Sequence, residues 1–275
     1  MITEIAFLNL FLCVALVLAP LMTNKFFLND SKVYSDAHKI SLFVLLIGVA
    51  LSLNYLSVVW PLFCSFGFFL YLKNECKLTF SMKSIAGCIP FVFSLIASIW
   101  FVAGVNDLHL LGYNRTWSFY AALHGSFLGW IFIGCLAFLS RRTNSSKFYL
   151  WGCYLCFTFF LLVAFGIDGI PYIKRIGVVG FSLIVPFLIG LYAFNLKNKH
   201  KGSFFLTMLS LFSIAVSMIL AILNEFWVDT PRIAFGIPIM VLVHGVMNAM
   251  LAVPCFFMAI RLECDESPSR LLVEE

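Results

Sequence analysis

His244 and Asn248 stand four residues apart in VHGVMNAM, residues 243–250. They interrupt a run from Ile233 to Ile260 that holds no Lys, Arg, Asp or Glu. On a helix, positions i and i+4 stack on one face, so the imidazole and the amide form one polar patch. Histidine gains or loses a proton near neutral pH, and an amide one turn away can orient its ring. A second histidine, His124, lies in HGSFLGW, seven residues after Trp117. Carboxylic acids stand nearby in short connections: Asp107 in NDLHLLGYNRTW, Asp168 in GIDGIPYIKR, and Glu225 in NEFWVDTPR, which also carries Asp229. A histidine beside a carboxyl can pass a proton to and from a substrate. The candidate catalytic set is therefore His124, His244, Glu225, Asn248 and Asp168.

The elements that carry these residues follow from composition. The chain is 62% hydrophobic and 11% charged, where a soluble domain has about 25% charged residues. So much apolar surface has no aqueous core large enough to hide it, and the chain reads as an all-α, polytopic transmembrane bundle. A span needs about 20 apolar residues. This places nine helices near 3–22, 40–54, 56–72, 84–105, 117–140, 148–166, 175–194, 203–224 and 233–260. The second and third meet at NYLS with almost no loop, and a re-entrant hairpin there would reduce the count to eight. One bundle domain over 1–262 and a short tail over 263–275 are expected. The N-terminal MITEIAFLNLFLCVALVLAP carries Glu4 and lacks the basic start of a cleaved leader, so a retained first span is expected.

Lys and Arg mark the orientation. Alternate connections hold 14 of the 18 on one side and 4 on the other, namely Arg115, Lys174, Arg175 and Arg232. The rule that cytoplasmic loops are positive puts the first side in the cytoplasm. The N-terminus is then expected outside and the tail inside. The net charge of +5 then reflects topology and lipid headgroups, and needs no nucleic acid. By helical rise, His124 lies about 10 Å below the outer surface and His244 roughly 18 Å below it. Buried polar groups in a membrane face the bundle interior or a wet cavity, so a pocket opening outward is expected, with the two histidines as companions. Gly125 and Gly129 form a GxxxG pattern that lets helices approach closely.

Several chemistries are disfavoured. The CYLC pair, Cys153 and Cys156, falls inside a span without further ligands nearby, so the cysteines read as small packing residues. There is no HxxxH, HExxH, GxSxG, phosphate loop or dinucleotide fingerprint. No cofactor or resident metal is expected, although two histidines on different helices leave metal or haem ligation as a third reading.

The run SIAVSMILAILNEFWVDTPRIAFGIPIMVLVHGVMNA resembles the end of YndJ-like bacterial membrane proteins. Their last helix carries P-x-M followed by HG-x-x-NA, and Pro238, Met240, His244, Gly245, Asn248 and Ala249 match it. An earlier family motif, H-F-T-Y-A-G-F, aligns with HGSFLGW. There His124 and Gly129 match, while Gly125, Ser126, Leu128 and Trp130 depart. The resemblance covers residues 90–260 and is strongest over 214–250. It implies a multi-pass bundle and no particular activity. The residues themselves suggest cofactor-free acid/base chemistry, an isomerisation or cyclisation, on a lipophilic small molecule. The alternative is a non-catalytic component in transport, immunity or assembly, in which the same residues hold helices together.

Overall fold

The computed structural model describes residues 4–74, 81–142, 146–168, 170–196, 200–227, 232–234 and 237–266. Among them, nine helices are long and apolar enough to cross a membrane. The chain is an all-α membrane protein. The junction at NYLS is resolved as a break between two spans. Helix α2 (Lys32–Ala50) ends at Leu51, and a 3-10 turn, Asn54–Val58, leads into α3 (Val59–Asn74). Ser52 takes φ 55° to turn the chain. Helix α2 starts eight residues before the expected apolar run. The Ser31 side chain caps it by accepting from the Tyr34 N–H, and a helix extends past hydrocarbon wherever its end groups are satisfied.

The chain divides into two compact units, Met1–Gly134 and Cys135–Glu275. The first contains α1 (Glu4–Phe27), α2, α3, α4 (Met82–Asn106), α5 (Arg115–His124) and a π-helical segment, Gly125–Phe132. Helix α4 is capped by Ser81 at its start and closed by Asp107 in the left-handed region at its end. Asn114 caps α5 by accepting from the Trp117 N–H at 3.0 Å. In the π segment Gly125, Ser126, Phe127, Gly129, Trp130, Ile131 and Phe132 are all buried. It packs against α4 and α1. Trp130 Nε1 donates to Thr23 Oγ1 of α1 at 2.7 Å. A buried indole N–H needs such a partner.

The division falls inside α6 (Ile133–Arg142), which continues the π segment: Ile133 and Gly134 belong to the first unit, and the second begins at Cys135. It continues with α7 (Ser146–Asp168), α8 (Pro171–Leu196) and α9 (Lys201–Phe226). A two-stranded antiparallel ribbon, β1 (Arg232–Ala234) and β2 (Ile237–Pro238), precedes the last span. That span runs through two π segments, Met240–His244 and Met247–Ala252, into α10 (Val253–Glu266). It packs along α9. Exposed apolar side chains such as Leu183, Phe205 and Phe212 are where a lipid-facing surface requires them.

Candidate functional site

The signature His244 lies in the second unit, on a seam between α9 and the last span. Its Nδ1 is 2.8 Å from Ser217 Oγ and 3.2 Å from the Ser217 carbonyl oxygen. A carbonyl oxygen only accepts, so the proton on this side belongs to Nδ1. Nε2 then accepts from Asn248 Nδ2 at 2.9 Å. With the Asn248 Nδ2 facing the ring, the contacts fit the neutral tautomer that carries its proton on Nδ1, and the ring is held at both nitrogens. Ser217 is fully buried and Asn248 is 8% exposed. The expected His244–Asn248 patch therefore forms, and Ser217 completes it from the facing helix.

Ser217 was not among the sequence candidates, yet its signal is present. Ser203, Thr207, Ser210, Ser213 and Ser217 recur at intervals of three or four in an otherwise apolar helix, and all are fully buried. That spacing puts a polar stripe on one face. One turn and three residues from Ser217, Ser210 Oγ donates to the Ala252 carbonyl at 2.6 Å. The stripe thus hydrogen-bonds across the seam at two levels.

Both signature histidines adjoin π-helical turns. His244 closes one such segment, and His124 immediately precedes another. Isolated π turns are uncommon and concentrate at functional positions. In the first unit His124 is exposed, and its Nδ1–H donates to the Tyr120 carbonyl at 2.8 Å. This leaves Nε2 as the nitrogen able to accept. The Tyr120 hydroxyl donates to Glu4 Oε1, linking α5 to α1. Trp100, Tyr113, Trp117 and Tyr120 form a chain of ring contacts at the same end of the unit, with Trp100 and Tyr113 stacked at 5.1 Å. Glu4, read from sequence only as a mark against a leader peptide, is thus a partner of this cluster.

The GxxxG pattern serves α4. A Cβ on Gly125 would stand 3.1 Å from the Ala97 Cβ, and one on Gly129 would fall 2.2 Å from the Phe93 ring. Gly125 meets another small residue, whereas Gly129 opens a slot for an aromatic ring.

Glu225 closes the end of α9, two turns beyond Ser217, or about 12 Å along the axis. Its side chain is 7% exposed, and it pairs with Lys174 Nζ at 2.7 Å and Arg175 Nε at 3.7 Å. The Arg175 guanidinium also lies over the Tyr172 and Phe226 rings. Glu225 thereby ties α9 to the start of α8. Asp168 is the last residue of α7, with its side chain outside the described part of the structure. Asp229 lies outside the described residues. Asp107 is a helix cap exposed beside His109, at 3.7 Å.

A further histidine, His38, was missed. It is 8% exposed on α2, bonds the Leu16 carbonyl of α1 at 2.8 Å, and stacks on Phe63 of α3. Cys153 and Cys156 are both fully buried. Among the described residues, no three His, Cys, Asp or Glu side chains converge as a metal would require.

Comparison with known proteins gives one result. A family model described as YndJ-like protein matches residues 62–252. No curated protein and no solved structure matches the chain. The matched span is most of the chain and includes both His124 and the Ser217–His244–Asn248 seam, so this chain belongs to the YndJ-like family.

Proposed function

We propose that this protein is a bacterial inner-membrane enzyme that performs cofactor-free acid/base chemistry, an isomerisation or cyclisation, on a lipophilic small molecule. The N-terminus faces outward and the tail lies in the cytoplasm, consistent with the distribution of Lys and Arg between alternate connections. The observation that carries the reading is the ring of His244, held at Nδ1 by Ser217 and at Nε2 by Asn248 within a membrane-spanning seam. A fixed imidazole in a low-dielectric setting is preorganised for proton transfer. Asn248 orients the ring, and Ser217 is the group through which a proton reaches or leaves Nδ1. Glu225, with Lys174 and Arg175, supplies a charged rim at one end of the same helix. His124, whose Nε2 can accept a proton, is the second proton-handling group.

Metabolite profiling of wild-type, deletion and His244→Ala strains tests this, with the level of the variant protein measured alongside. The deletion and the variant should accumulate the same lipophilic precursor. A deletion phenotype that His244→Ala fails to reproduce would remove His244 from catalysis.

A second reading is a non-catalytic membrane component. It is favoured by the Ser210 bond to the Ala252 carbonyl, which shows the same stripe holding two helices together one level away. Normal metabolites in the variant strain, combined with lowered thermal stability of the variant, are what that reading requires.

A further inference from the structure

The seam beside His244 contains two buried polar oxygens with no hydrogen-bond partner among the described residues: Ser213 Oγ and Asn248 Oδ1. Ser213 is fully buried, and Asn248 is 8% exposed. The register of the seam brings their levels together. Ser217 bonds His244, and Ser210 bonds the Ala252 carbonyl, so α9 and the last span run antiparallel. Ser213 is four residues from Ser217, and Asn248 is four residues from His244 in the opposite chain sense. The two unpartnered oxygens therefore lie at one level, between two interhelical hydrogen bonds.

Neither oxygen is orphaned for want of an ordinary alternative. A helical serine usually satisfies its hydroxyl on the carbonyl three or four residues back. Ser94, Ser98, Ser140, Ser182 and Thr207 all do so here, at 2.7–2.8 Å. Ser213 does not, although its helix carries Thr207, which does. Asn248 spends Nδ2 on His244 and keeps Oδ1 free. Rotating the amide by 180° would exchange the two atoms and leave Nδ2 as the unpartnered one, so one buried polar atom remains in either orientation. Buried polar groups in folded proteins are satisfied by protein or by ordered water, and in a hydrocarbon setting bulk water cannot do it. The donor and acceptor inventory matches one small guest: Asn248 Oδ1 accepts, and the Ser213 hydroxyl both donates and accepts. A water molecule makes two to four such bonds when buried. The π-helical turn Met247–Ala252 carries Asn248 at this level, and a π turn is wider than an α turn.

We propose that a single ordered water occupies the seam between Ser213 and Asn248, donating to Asn248 Oδ1 and accepting from Ser213 Oγ. It completes a line of hydrogen bonds that runs Ser217, His244, Asn248, water, Ser213 along α9. The inference holds whether His244 is catalytic or structural, because it rests on the unpartnered atoms and the register alone.

The test is a structure of the full-length wild-type protein in a lipid nanodisc, at a resolution that resolves ordered waters. Compact density within hydrogen-bonding distance of both Ser213 Oγ and the Asn248 amide is expected. An empty seam, a direct Ser213–Asn248 bond, or extended density entering from the lipid each overturns the proposal. The same determination on Ser213→Ala should show the compact density gone and the His244–Asn248 bond retained. Density that persists unchanged in the variant would show that Ser213 does not hold the water.

Discussion

At the scale of single residues, His244 is a hub and its neighbours are spokes. Ser217→Ala removes one bond across the seam, and interhelical hydrogen bonds in membranes average about 0.6 kcal/mol. His244→Ala removes the partner of both Ser217 and Asn248, and stranding buried polar groups costs about 1–3 kcal/mol each. Thermal unfolding in one detergent should therefore rank His244→Ala as clearly more damaging than Ser217→Ala. Equal losses would argue that the ring is not the centre of the network. Glu225 offers a second ranking. Lys174 approaches it to 2.7 Å and Arg175 only to 3.7 Å, while both cations are more than a third exposed. Exposed pairs contribute up to about 1 kcal/mol. In double-mutant cycles with Glu225→Gln, Lys174→Gln should show the larger coupling, and a larger coupling for Arg175→Gln would overturn that order.

At the scale of elements, the π segment after His124 is shaped by what α4 presents to it. Gly129 accommodates the Phe93 ring, whereas Gly125 needs only to clear Ala97. Gly129→Ala forces a ring to move in a packed interior, at about 1–3 kcal/mol. Gly125→Ala asks a few tenths of an ångström of a methyl contact and should cost less. Melting temperatures of the two variants check this, and a reversed order would mean that Phe93 has an empty space to enter. The same element carries Trp130 to Thr23 and Tyr120 to Glu4, so α5 and its π continuation organise the first unit by specific polar contacts as well as by packing.

At the scale of the whole molecule, nine helices among the described residues are long and apolar enough to cross a membrane, so successive connections are expected on alternate faces. The proposed orientation predicts that a cysteine introduced at Leu111, which is 81% exposed in the connection after α4, reacts with a membrane-impermeant thiol reagent added to intact spheroplasts. A cysteine at Ser146, at the start of α7, should react only after the membrane is opened. The opposite pattern would invert the topology and move the charged rim at Glu225 to the cytoplasmic face.

What the sequence by itself determined is what hydrocarbon and helix geometry impose locally. Nine apolar runs are visible because every span must meet the same thickness, although those at 40–54 and 56–72 are short and leave eight open until the break at NYLS is seen in the structure. His244 and Asn248 share a face because the helical repeat is fixed, and the family pattern stands in the residues themselves. Even the serine stripe of α9 is periodic and could have been read. The tertiary structure alone decided which helix each face meets. Tyr120 finds Glu4 across 116 positions, Ser217 finds His244 across 27, and Glu225 finds Lys174 and Arg175. Helices of similar hydropathy carry no address for one another. Side-chain shape and a few polar groups choose the neighbour, and that choice exists only once the helices have packed.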